Sequence, residues 1–135
     1  MSIESNMLEI SQQKVLASAE WLSAVQLAKR ARVNTICMQN NLTEWKCNNE
    51  IFGVLIETIE LFPVYALDMK NVNPSPNIAP ILALFLNRKD SWGMAYWFAG
   101  ANGFLGGERP QNILRVDPCR VLLAAKDELL GVTHG

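Results

Sequence analysis

At 135 residues, half of them hydrophobic and with a net charge of −1, the chain is long enough to bury a core and too apolar for global disorder. It has no strong basic excess, and its longest apolar run, Ile78 to Leu86, is about half of a membrane span and contains Pro80. Three cysteines (Cys37, Cys47, Cys119) without Cys-x-x-Cys spacing predict small buried thiols in a reducing cytoplasm, and a single histidine, His134, leaves no metal site.

The opening MSIESNMLEISQQK has no basic stretch leading into an apolar one, so no signal peptide is expected. Residues 8–19 carry Leu8, Val15, Leu16 and Ala19 at helical spacing. Ser23 then caps a helix whose Ala24, Leu27, Ala28 and Ala31 share one face and which ends near Arg32–Val33. Asn34 caps the next helix, with Ile36 facing inward and Leu42 and Trp45 following. Trp21 and Trp45 read as core anchors. Two short helices about three residues apart have the layout of a helix-turn-helix, although Arg32 or Val33 stands where the turn usually has glycine. The stretch IFGVLIETIELFPVYAL is rich in β-branched and aromatic residues and breaks near Glu57–Thr58. It reads as a β-hairpin, hence a wing, with Pro63 confining the second strand to an edge.

Apolar periodicity stops at MKNVNPSPN, residues 69–77, which reads as a semi-rigid linker between a part spanning 1–68 and another spanning 78–135. Beyond it, one helix runs from about Pro80 to Asn87, and Asp90 or Ser91 caps a second that ends at Gly100. A short helix opens at Pro110. Asp117 and Pro118 start the last one, with a stripe of Val121, Leu122, Ala125 and Leu129 up to Gly131. The fold expected is mostly α with one β-hairpin: a winged helix-turn-helix-like part followed by a small helical bundle.

Nothing in the chain points to catalysis. Gly106–Gly107 lacks both the lysine of a phosphate loop and a preceding strand, so it reads as a positive-φ connector, with no cofactor implied. Cys119 follows a helix-start proline but has no base near it, and reads as a packing cysteine. Two binding surfaces are better supported. The first is a DNA face, with Lys29, Arg30, Arg32 and Lys46 on phosphates and Asn34, Thr35, Gln39 and Asn40 offering groups that read bases or hold the backbone. Residues 1–68 nevertheless carry five basic against eight acidic side chains, so a dimer presenting two such faces suits DNA better than a monomer. The second is the aromatic segment WGMAYWFAGANGFL, with Arg109 at its rim.

The stretch YWFAGANGFLGGERPQNILRVDPCRVLLAA is similar to the C-terminal toxin-binding domain of bacterial Xre/MbcA/ParS-type antitoxins. Trp97, Asn102, Leu105, Gly106, Gly107, Pro110, Leu114, Val121 and Ala125 occupy its pattern over about residues 78–130. The N-terminal half resembles the small winged or MerR-like helix-turn-helix that precedes this domain in some relatives. There the segment before the wing reads Trp-Arg-Arg, whereas here it is Trp45-Lys46-Cys47-Asn48-Asn49. The resemblance implies a cytoplasmic, non-enzymatic antitoxin, often a homodimer, which neutralises a co-encoded toxin and represses its own operon through operator DNA. Partner contacts would fall on Trp97, Asn102, Phe104, Leu105, Gly106, Gly107 and Arg109. The alternative is a stand-alone DNA-binding regulator without a toxin. The tail LLGVTHG reads as frayed.

Overall fold

Local hydrogen bonding at chain ends and turns sets most element boundaries in the computed structural model, which describes residues 3–131. His134 and the end of the tail lie outside the described residues. Helix α1 spans Ile3–Ala17. Strand β1 (Trp21–Ser23) leads directly into α2 (Ala24–Ala31). Ser23 starts α2 with a reciprocal cap: its Oγ accepts from the Gln26 amide at 3.3 Å, and its own amide donates to Gln26 Oε1 at 2.8 Å. Arg32 ends the helix in the left-handed region, at φ 58. Asn34 Oδ1 then accepts from the Cys37 amide at 2.7 Å and opens α3 (Thr35–Cys47).

The hairpin follows as β2 (Val54–Ile56) and β3 (Ile59–Pro63), turning at Glu57–Thr58 with Glu57 at φ 55. β1 joins it to give an antiparallel sheet ordered β1-β3-β2, with Trp21 opposite Pro63 and Val54 opposite Leu61. Pro63 was expected on an edge strand, yet β3 is the central one. The proline fits because it is the last strand residue. The Val64 amide donates to the Glu20 carbonyl on the β1 side, so by strand alternation the nitrogen of Pro63 faces the β2 side, beyond the last β2 pair.

Residues 69–77, read as a linker, contain β5 (Asn73–Pro74), which pairs with β4 (Leu67–Asp68). Between them Val72 is buried at φ 50, an uncommon conformation for a β-branched residue that its packing holds in place. Then come α4 (Ala79–Phe85), α5 (Ser91–Ala99), α6 (Pro110–Ile113) and α7 (Pro118–Leu129). Asp90 Oδ1 caps α5 through the Gly93 amide at 2.7 Å, and Asp117 Oδ1 caps α7 through the Arg120 amide at 3.2 Å. The chain is thus mostly helical with a small antiparallel sheet. Among the described residues, no helix is long and apolar enough to cross a membrane.

Buried side chains form two clusters. One gathers Leu22, Leu27, Met38, Leu42, Phe62 and Val72 under α2, α3 and the sheet. The other gathers Ile81, Leu82, Phe85, Phe98, Leu105 and Val121 from the later helices, and it also takes Val15 from α1 and Phe52 and Val54 from the approach to the hairpin. Aromatic contacts knit this second cluster. Phe98 stacks on Phe52 with centroids 6.0 Å apart, Tyr65 lies 5.1 Å from Phe98, and Trp21 meets both Phe52 and Tyr65 edge-on.

Two expectations about burial fail. Ile36 was assigned to the core, but it is 71% exposed. Met38 and Leu42 set the phase of α3, and a residue two places before Met38 points about 200° away from it. The cysteines were expected inside, and all three are exposed. Cys37 and Cys47 lie off the Met38–Leu42 stripe, while Cys119 sits two residues before Val121, the first buried position of α7.

Candidate functional site

The α2–α3 corner gathers most of the residues assigned to DNA. Lys29, Arg30 and Arg32 close α2 and are exposed, and the backbone there is tied by the Val33 amide to the Ala28 carbonyl at 3.1 Å. Arg30 lies 3.6 Å from Glu20, with both side chains about half exposed, a contact of little net energy that leaves the guanidinium accessible. Asn34, Gln39 and Asn40 are exposed and Thr35 is half-buried at the first turn of α3. Asn34 spends its side-chain oxygen on the cap.

Lys46 stands apart from this group. It is just over three helical turns beyond Thr35, about 16 Å along α3. Its ammonium donates to Glu60 Oε1 at 2.7 Å and sits 5.9 Å from the Phe62 ring centre. Lys46 therefore fastens α3 to the hairpin, and Glu60 offsets its charge.

In the C-terminal half, α5, the glycine connector and α7 enclose a groove of about 380 Å³. Three of the residues assigned to a partner, Trp97, Asn102 and Phe104, line it together with Tyr96, Asp127 and Glu128. Trp97 packs edge-on against Phe85 and Phe98, and its indole nitrogen is buried without a hydrogen-bond partner. Asn102 organises the connector: its Oδ1 accepts from the Leu105 amide at 3.3 Å, and its carbonyl accepts from the Gly107 amide at 2.8 Å. Gly106 at φ 69 and Gly107 at φ 90 make this turn possible. A Cβ on Gly107 would meet nothing within 4 Å, so the requirement there is conformational, not spatial. Leu105 lies beneath the connector, 1% exposed, while Gly106, Gly107 and Arg109 are exposed and do not line the groove. Glu128 is paired with Lys89 at 3.2 Å.

Sequence reasoning missed a third feature. Gln111, the one buried polar residue among those described, donates from Nε2 to the Ser18 carbonyl at 3.0 Å and to Ser18 Oγ at 3.1 Å, tying α6 to the end of α1. It borders a cleft of about 390 Å³ shared with Glu20, Tyr65, Asn112 and Arg115. The Tyr65 hydroxyl and Gln111 Oε1 are buried and unpartnered. Burial pushes the Tyr65 phenol well above its ordinary range, so it stays protonated. No spacing in the chain announces this tie, because Ser18 and Gln111 meet only through tertiary packing.

Compared with known proteins, the chain matches no protein family, no curated protein and no solved structure.

Proposed function

We propose that the protein is an antitoxin-like regulator with two working surfaces, one for a protein toxin and one for operator DNA. The observation that carries this reading is the convergence of Trp97, Asn102 and Phe104, separated by up to seven positions in sequence, on one groove between α5 and α7. The groove supplies aromatic surface, an amide and carboxylates, a combination suited to an apolar protein segment flanked by basic side chains. Part of the antitoxin-like pattern serves the fold under it, since Leu105, Leu114, Val121 and Ala125 are core residues.

The N-terminal reading is that of a winged helix-turn-helix. It draws support from the chain order of helix, strand, two helices and hairpin, with β1 beside β3. On this reading Lys29, Arg30 and Arg32 neutralise phosphates while Gln39 and Asn40 face bases.

The test is co-expression with the neighbouring open reading frame. Its product should be toxic alone, harmless with this chain, and retained by it on purification. A harmless neighbour that does not bind overturns the toxin surface. In gel shifts on the chain's own promoter at low salt, the double variant Arg30→Ala/Arg32→Ala should lose about tenfold or more in affinity. An unchanged shift overturns the DNA face. DNA binding without any toxin partner would identify the stand-alone regulator.

A further inference from the structure

The cleft beside Gln111 holds two polar atoms whose hydrogen-bonding character is fixed and unused. Gln111 is 8% exposed and borders this space of about 390 Å³, a volume within the usual range of small-molecule sites. The Ser18 carbonyl can only accept, so Gln111 must turn Nε2 toward it, and Oε1 is left as an acceptor without a donor. Tyr65 lines the same cleft, and burial keeps its phenol protonated, so the unpartnered hydroxyl is available as a donor. Arg115, exposed at the edge of the cleft, makes no ion pair among the described residues. Glu20, the acidic residue of the wall, lies 3.6 Å from Arg30, which offsets its charge. Val64, Leu67 and Leu114 supply apolar wall.

We propose that this cleft binds a small carboxylate carrying an amide and an aliphatic side chain, the chemistry of an N-acyl amino acid. One planar amide supplies both missing partners: its N–H donates to Gln111 Oε1, and its carbonyl accepts from the Tyr65 hydroxyl. The carboxylate pairs with Arg115, whose planar fork suits that group. The aliphatic side chain lies against Val64, Leu67 and Leu114. A carboxylate without the amide leaves Gln111 Oε1 with no donor, and an amide without the carboxylate leaves Arg115 unpaired. Neither buried atom meets bulk water, so the occupant reaches them only when the wall yields by a side-chain rotation. Hydrogen bonds formed there then face little competition from solvent. The carboxy-terminus of a peptide ends in the same groups, so length separates the two sources. Tyr65, Gln111 and Arg115 lie outside the residues assigned to DNA and to the toxin, so this inference stands or falls separately from that reading.

Titration of the isotopically labelled full chain with N-acetyl-L-leucine, followed by nuclear magnetic resonance, tests it. The Gln111 side-chain amide should shift saturably, with a dissociation constant on the order of a few mM for a ligand of about twelve heavy atoms. The carboxamide of N-acetyl-L-leucine and 4-methylpentanoate, which lack the carboxylate and the amide respectively, should each bind at least about fivefold more weakly. Tyr65→Phe should weaken binding of N-acetyl-L-leucine about three- to tenfold while melting stays nearly unchanged. Arg115→Gln alters an exposed side chain, so the fold is kept; it should weaken N-acetyl-L-leucine several-fold and leave the carboxamide unaffected. Tighter binding of a longer acetylated peptide ending in leucine would identify a chain terminus as the source, and equal or weaker binding a free acyl amino acid. No saturable shift up to about 50 mM, shifts confined to other parts of the chain, or binding indifferent to either variant overturns the proposal.

Discussion

In the C-terminal half, Leu105, Leu114, Val121 and Ala125 are interior, and Asn102 spends its side chain on a turn. In the N-terminal half, Lys29, Arg30, Arg32, Gln39 and Asn40 stand in water, and the core beneath them is built from other residues. A sequence motif can therefore mean two things. At the connector it encodes a shape, and Trp97, Asn102 and Phe104 line the groove beside it. At the α2–α3 corner the distinctive residues are themselves the surface, so Lys29, Arg30, Gln39 and Asn40 can be altered without touching a buried contact.

Four substitutions sharpen or break that contrast. Phe98→Ala should have the largest effect, a loss on the order of 3–5 kcal/mol in urea denaturation, because Phe98 is fully buried against Phe52, Tyr65 and Trp97. Loss below about 1 kcal/mol would show that the ring pile is not a core. Gly107→Ala places a side chain at φ 90 in open space and should cost about 1–2 kcal/mol, measured as a lowered Tm. No change would mean that the connector is free to adopt another turn.

Arg32→Gly should act in the opposite direction. It relieves the left-handed residue at φ 58 and raises stability by about 0.5–1 kcal/mol, and on the proposed DNA face it lowers DNA affinity. A simultaneous rise or fall in both quantities would break the separation of surface from fold at this corner. Tyr65→Phe should be smallest, within about 0.5 kcal/mol at neutral pH, because the hydroxyl has no partner to lose. The raised phenol pKa means that folding favours the neutral form. That stability is complete below the unfolded value of about 10 and disappears as pH climbs through the higher folded value. The wild-type chain should therefore weaken above about pH 10 more than the Tyr65→Phe variant does. Equal alkaline melting curves would refute this.

What could be read from the chain was local. Ser23, Asn34, Asp90 and Asp117 all cap the helices assigned to them, because a cap is a bond between residues three apart. The hairpin turn at Glu57–Thr58 was legible for the same reason. Strand β1 was not. It has three residues, no β-branched signal, and a pairing partner some forty positions later. The outward phase of Ile36 and the exposure of the three thiols depend on which face of each helix meets the body, and adjacent apolar residues leave that open. The groove at Trp97 was half visible, as three residues named without the acidic wall that Asp127 and Glu128 supply.

The aromatic pile has a practical consequence for anyone dividing this chain. Phe98 comes from α5, whereas Phe52 and Tyr65 precede residues 69–77. Cutting within that segment would strip one face from each ring and give two fragments with raw aromatic patches, each prone to stick to the other or to precipitate. Mixed in equal amounts, the fragments should reassemble through these rings. A dissection into separately soluble halves therefore begins by replacing Phe52, Tyr65 and Phe98, not by choosing a cleavage site.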